Sequence, residues 1–160
     1  RCLRLETTAR RAVLQDGALL ASPAAAQHGV ALVRKLPADR LAVKVDTDFL
    51  KQAILNIVLN GVQAMPDGGT LTIGARIEKD VVIAEIRDEG MGIPPLELEH
   101  VFEKFYRVAQ GDGRAPGTGL GLAICRGIAT AMGGSVKPES PIAKGHGTRI
   151  IARFQAKEIA

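Results

Sequence analysis

Asp88-Glu89-Gly90-Met91-Gly92-Ile93 and Gly117-Thr118-Gly119-Leu120-Gly121-Leu122 bracket the stretch on which the reading of this chain turns. Each run spaces its glycines two apart. Positions without a Cβ let backbone N–H groups approach a bulky anion and tolerate positive φ, so both runs suit a wrap around phosphate. Between them, Val108 to Pro116 is polar and Gly-rich. Such a segment buries too little apolar surface to hold itself rigid, which predicts a lid that moves until a ligand orders it.

Upstream of Asp88, Leu71, Ile73, Ala75 and Ile77 alternate with polar or small residues. After Glu78-Lys79-Asp80 the chain returns through Val82, Ala84 and Ile86, a hairpin pattern that delivers Asp88 at a strand end. A carboxylate there can accept a hydrogen bond from an exocyclic amino group such as that of adenine. Bonds to a charged group contribute about 1.5–3 kcal/mol, enough to select against a base lacking that donor. An ordinary turn aspartate is the alternative.

Before the Pro66-Asp67-Gly68-Gly69 turn, residues 48–65 read as a helix capped by Asp46 or Thr47. Leu50, Ala53, Ile54, Ile57, Val58 and Gly61 form its buried face. Gln52, Asn56, Asn60 and Gln63 fall on an adjoining stripe. Asn is a poor helix former, so two of them four residues apart ask for a reason. Either both amides bond to neighbouring loops, or an Asn oxygen, a hard neutral ligand, completes the sphere of a Mg²⁺ held mainly by water and phosphates.

Further out, Leu3 to Gln27 has helical spacing with Pro23 as a candidate kink, and Gly29 ends it. Strands are expected at Val30–Leu36 and Leu41–Val45. Downstream, Leu96 to Phe105 reads as a short helix whose Val101, Phe102 and Phe105 bury a hinge, with Lys104 and Arg107 free to face phosphate or solvent. A helix from Thr118 to Met132 places its N-terminus, with unpaired N–H groups and a positive dipole end, at the second glycine run. Strands Ser135–Glu139 and Thr148–Gln155 close the chain.

At 160 residues and 46% hydrophobic, the chain supports one aliphatic core. With no Trp, one Tyr and four Phe, and with a net charge of +4 spread along the sequence, no stacking platform for nucleic acid is expected. Cys2 and Cys125 lack metal-ligand spacing, and a reduced, cytoplasmic setting follows as the expectation. No run of about 18 apolar residues occurs, so no direct membrane contact is expected.

In order and spacing, Asn56-Ile57-Val58-Leu59-Asn60, Asp88 to Ile93, Val101-Phe102-Glu103-Lys104-Phe105, Gly117 to Ile124 and Gly145-His146-Gly147-Thr148 resemble the N, G1, F, G2 and G3 boxes of sensor histidine kinases. The resemblance runs from about Thr7 to Gln155. It implies an α+β two-layer sandwich, the Bergerat (GHKL ATPase) fold, with a mixed, roughly five-stranded sheet, helices on one face and a flexible ATP lid over residues 93–118. Residues 1–6 would be the end of a preceding dimerisation helix and 7–160 the catalytic domain.

Carried over position by position, the resemblance implies that Asn60 ligates Mg²⁺, that Asn56 and Gln63 stand by the phosphates of ATP, and that Asp88 binds adenine with Thr148 in support. Gly90, Gly92, Ile93, Gly117, Thr118, Gly119, Leu120, Gly121 and Leu122 would shape the pocket and lid, with Phe102 and Phe105 at the hinge. Lys104 and Arg107 would join Asn56 and Asn60 in catalysis. Many members carry Lys where this chain has Gln63. The run Gln63 to Leu71 resembles the nitrogen-regulation type of sensor kinase, which shares that change. ATPases and serine kinases of this fold place Glu, a general base, where Asn56 stands. An amide cannot take a proton at neutral pH, whereas a neutral histidine acceptor needs no such base.

None of His28, His100 and His146 is followed by the acidic residue usual at the family's acceptor histidine. The expectation is therefore a domain, monomeric by itself, that acts on a dimerisation and histidine-acceptor domain of its own protein, with a response-regulator receiver domain as the next partner. A nucleotide-binding scaffold without catalysis, or an ATPase of the same fold, are the alternative readings.

Overall fold

The computed structural model describes residues 6–35, 42–45, 47–78, 81–104, 109–110, 113–114, 121–131, 133–142 and 145–155. Strands β1 (Glu6–Ala9), β2 (Val30–Lys35), β3 (Ala42–Val45), β4 (Gly69–Glu78), β5 (Val81–Asp88), β6 (Ala109–Gln110), β7 (Gly113–Arg114), β8 (Ser135–Glu139) and β9 (Thr148–Gln155) accompany helices α1 (Arg10–His28), α2 (Thr47–Gln63) and α3 (Gly121–Ala131). The main sheet runs β2-β4-β5-β9-β8. β2 and β4 are parallel and the other neighbours antiparallel, so the five strands are mixed as expected.

Alternation along the strands decides which side is covered. Leu71 and Ile73 of β4, Ala84 and Ile86 of β5, and Ile150, Ala152 and Phe154 of β9 share one face. They form a single cluster with Ala21 and Ala25 of α1, Ile54 and Val58 of α2, and Cys125 and Ile128 of α3. The helices form a layer on that face, because a strand presents every second residue to it while each helix buries one stripe; on the opposite face Ile83 of β5 and Ile151 of β9 are buried as well. The stripe expected for α2 is the one observed, from Leu50 through Gly61. Among the described residues no helix is long and apolar enough to cross a membrane.

Two local expectations need correction. The single helix expected over Leu3–Gln27 is replaced by β1, which pairs antiparallel with β3 from Glu6↔Val45 to Ala9↔Ala42, before α1 starts at Arg10. Thr7 and Thr8 are β-branched and fit a ladder better than a helix. Pro23 lies inside α1. The residue four before it, Leu19, is exposed, so the carbonyl that Pro23 leaves without a donor can turn to water.

The helix expected at Leu96–Phe105 is instead a 3₁₀ turn, Pro95–Glu97, followed by tight turns as far as Lys104. His100 N–H donates to the Glu97 carbonyl (3.0 Å) and Glu103 N–H to the His100 carbonyl (2.9 Å). These three-residue spacings seat the adjacent Val101 and Phe102 together in the core, and a segment this short gains little from α-helix nucleation. α3 is described from Gly121; the expected start at Thr118 falls on residues 115–120, which lie outside the described residues.

Candidate nucleotide site

Asp88 continues the core-facing alternation of Ala84 and Ile86, so the end of β5 carries a carboxylate on the helix side of the sheet. It is 4% exposed. Room for it comes from Gly61 on α2, where a Cβ would lie 2.5 Å from Leu71 Cδ1 and 3.4 Å from Asp88 Cβ. The glycine lets the helix settle directly onto the strand end. Gly90 N–H donates to Asp88 Oδ1 (2.8 Å), and the backbone N–H of Thr148, the register partner of Asp88, also supports the carboxylate. Burial nonetheless pushes the Asp88 carboxyl up to about 6, with those two backbone bonds opposing the shift. A buried carboxylate at the edge of a site is suited to a ligand donor that supplies what lost water did.

Around Asp88 the two glycine turns interlock. Gly147 N–H donates to the Gly90 carbonyl (2.7 Å). Gly92 and Gly147 have φ of 82° and 87°, a left-handed backbone that other residues adopt only with strain. Ser140 ties these turns together: its Oγ accepts from Ile93 N–H (2.6 Å) and from Thr148 Oγ1–H (3.2 Å), and donates to the Gly147 carbonyl (2.7 Å). A hydroxyl has one donor and two acceptor sites, so Ser140 is fully used.

Ser140→Ala would leave the Ile93 N–H and the Gly147 carbonyl without their partner. We expect a loss of about 1–3 kcal/mol in urea unfolding, together with weaker nucleotide binding. An unchanged midpoint would show that the clasp is not structural. Sequence alone does not single out Ser140, because a loop serine before Pro141 carries no pattern of its own.

The far end of the site lies along α2. Asn56 and Asn60 are one turn apart, about 6 Å along the axis. The start of α3 reaches the first of them: a Cβ on Gly121 would lie 3.6 Å from Asn56 Cβ and 3.8 Å from its Oδ1. The positive end of α3 therefore sits at the Asn56 amide. Asn56 Nδ2 is buried with no hydrogen-bond partner among the described residues. An unsatisfied buried donor costs about 1–3 kcal/mol, and a negatively charged acceptor would relieve it.

Of the other expected site residues, Ile93, Phe102 and Leu122 belong to the core cluster, and the Arg126 guanidinium lies 6.0 Å from the Phe102 ring centroid, linking the hinge to α3. Gln63 and Lys104 are exposed. Phe105, Arg107, Gly117, Thr118, Gly119 and Leu120 lie outside the described residues. Within the segment expected as a lid, Ala109↔Arg114 and Gln110↔Gly113 pair as a small hairpin.

With this geometry, residues 45–158 match the family described as histidine kinase-, DNA gyrase B-, and HSP90-like ATPase. The chain belongs to that family. Among curated relatives it is 38% identical over 135 residues to the sensor histidine kinase WalK of Bacillus subtilis (strain 168), covering 82% of this chain and 22% of that one. The chain thus spans about a fifth of the length of the curated relatives it matches. Among solved structures it superposes on the mycobacterial sensor histidine kinase MprB with a TM-score of 0.83, at 26% identity and over 98% of this chain and all of that one. On full-length ShkA, determined in complex with AMPPNP, the TM-score is 0.84 at 27% identity, over 100% of this chain and 33% of that one.

These likenesses make it the histidine-kinase type of catalytic domain, an ATP-binding unit homologous to those of sensor kinases. The two ends of the candidate site differ in chemistry: a buried carboxylate at Asp88, and an amide stripe meeting a helix N-terminus at Asn56.

Proposed function

We propose that this chain transfers the γ-phosphoryl group of ATP to a histidine on a separate dimerisation domain, for relay to the aspartate of a response-regulator receiver domain. The observation that carries the reading is the buried Asn56 Nδ2, without a partner among the described residues, beside the start of α3. It supports an anion at that end of the site, opposite a carboxylate suited to the adenine amino group. Thr148, buried beside Asp88, supports the same contact.

The Asn60 amide oxygen fits Mg²⁺. It is a hard neutral donor, and no cluster of three or more His, Cys, Asp and Glu occurs among the described residues, so the donor set suits an ion held largely by phosphate and water. Mg²⁺, when bound, supplies charge neutralisation on the phosphates. Asn56 cannot accept a proton at neutral pH, so the protein's own part is positioning: Asp88 fixes the base, Asn56 and the α3 N-terminus orient the phosphates, and Lys104 and Arg107 add positive charge from the lid side. Gln63 in place of a lysine, with the run that follows it, favours the nitrogen-regulation type of sensor kinase. The domain works in the cytoplasm, as a monomer when separate from its acceptor domain.

Calorimetric titration with a non-hydrolysable ATP analogue tests the site. Wild type is expected to bind saturably and more tightly with Mg²⁺. Asn60→Ala is expected to retain the metal-free binding and lose the Mg²⁺ enhancement. Absence of binding to folded wild type would overturn the reading.

A further inference from the structure

The face of the sheet turned away from the helices carries a second charged feature, outside the nucleotide site. Alternation puts Thr72, Gly74 and Arg76 of β4, Glu85 and Arg87 of β5, Arg149 of β9 and Lys35 of β2 on this side. They surround a dent of about 270 Å³, completed by Ala75. Its floor exists because Gly74, paired with Lys35 on one side and Glu85 on the other, contributes no side chain where its neighbours contribute long ones. The lining holds four cations and one acid.

Pairing on this face is uneven. Arg76 spans Glu85 and Glu78, so the one acid of the lining is already engaged. Arg149 turns to Glu139 (3.1 Å) on the outer strand β8. Lys35 and Arg87 are left with no acidic partner among the described residues. Arg87 stands directly across the ladder from Arg149 and from Thr72. Like charges directly opposite in an antiparallel pair are destabilising, and a local conflict that packing does not explain is where a ligand is to be sought.

We propose that the dent over Gly74 binds a small multivalent phosphate anion, with Lys35 and Arg87 as its charged partners and the Thr72 hydroxyl as a further donor. Charge-assisted bonds from a guanidinium fork and an ammonium suit phosphate oxygens, and the anion would offset the opposition of Arg87 and Arg149. The size argues for a compact anion: the dent falls below the usual range of about 300–1,000 Å³ for pockets that take a whole drug-sized ligand. The two flanking ion pairs, Arg76 with Glu85 and Arg149 with Glu139, close it against a longer occupant.

The test is a titration of the isotopically labelled chain with sodium pyrophosphate, followed residue by residue by NMR at constant ionic strength without divalent metal. The backbone amides of Thr72, Gly74 and Arg87 are expected to follow one saturable curve. Lys35→Gln combined with Arg87→Gln is expected to weaken it at least about tenfold. Both positions are exposed, so the folded spectrum should survive; if the pair does not fold, Lys35→Gln alone is expected to weaken binding several-fold. Shifts that do not saturate, that sodium chloride reproduces, or that survive the substitutions unchanged would mean a merely solvated basic face and overturn the proposal. Shifts confined to Asn56 and Gly121 would place the anion in the nucleotide site, overturning this proposal while leaving the proposed function standing.

Discussion

Asp88→Asn is expected to remove most of the affinity for an adenine nucleotide and, separately, to flatten the pH dependence of folding stability in the acid range. The first effect follows from hydrogen-bond inventory. The carboxylate serves the Gly90 N–H at 2.8 Å and the Thr148 N–H, and still has lone pairs for an incoming amino group. An amide has one oxygen, which those backbone donors already claim, and its NH₂ would meet the ligand's NH₂ donor to donor. Losing a hydrogen bond to a charged group costs about 1.5–3 kcal/mol, or roughly 10- to 150-fold in Kd.

The second effect follows from burial. The Asp88 carboxyl, ordinarily near 3.8, is pushed up to about 6 in the folded chain without ligand. Between those values the folded state holds a proton that the unfolded state has released. The associated stability is therefore fully present below the unfolded value and is lost as pH rises through about 6. A shift of this size corresponds to on the order of 3 kcal/mol. Urea unfolding of wild type and Asp88→Asn from pH 4 to pH 7 should show that slope in the first and not in the second. Nucleotide affinity of wild type is expected to rise over the same range, since the ligand's amino group favours the ionised carboxylate. Parallel pH profiles in both proteins would sink the assignment.

Gly90→Ala is the second large effect. A Cβ there would stand 2.6 Å from the Ala64 carbonyl oxygen, 2.8 Å from Ala64 Cβ and 3.0 Å from Asp88 Oδ1. The first obstacle is backbone, and Ala64 N–H is bonded to the Asn60 and Gly61 carbonyls at 3.1 and 3.2 Å, so relief must displace the end of α2 that carries Asn60. Overpacking of this kind costs about 1–3 kcal/mol, and the binding site should weaken with it. Gly127→Ala in the exposed side of α3 is the control, because a Cβ there meets nothing within 4 Å. It should stabilise by about 0.5–1 kcal/mol, as alanine does in a helix interior. Equal effects of the two substitutions on the unfolding midpoint would contradict the packing described at Gly90.

The residues at which sequence reading succeeded are those whose constraint is periodic. Leu71 and Ile73, then Ala84 and Ile86, alternate cleanly, and the strand they mark ends at Asp88 as expected; that the carboxylate faces the helices is shown by its burial. Asn56 and Asn60 break the rule for helix interiors, and both lie within α2, one turn apart, as their spacing predicts. Where a constraint is purely tertiary, the sequence was silent. β1 exists because β3 lies beside it, and nothing in Glu6-Thr7-Thr8-Ala9 names that partner. The turns after Pro95 are set by the burial of Val101 and Phe102, not by a helical repeat. Ser140 acquires its three bonds from residues up to 47 positions away. The burial of Asn56 Nδ2, with no partner among the described residues, likewise depends on the approach of α3, whose Gly121 lies 65 residues later.

The central claim is that this ATP site serves a histidine held on another domain. Its most direct test mixes the chain with γ-labelled ATP, Mg²⁺ and a separately produced histidine-acceptor domain from the same protein, alongside the chain alone. Acid-labile label on the acceptor domain only, and only in the mixture, is the expected result. Label on this chain by itself, or steady phosphate release without any acceptor, would contradict it.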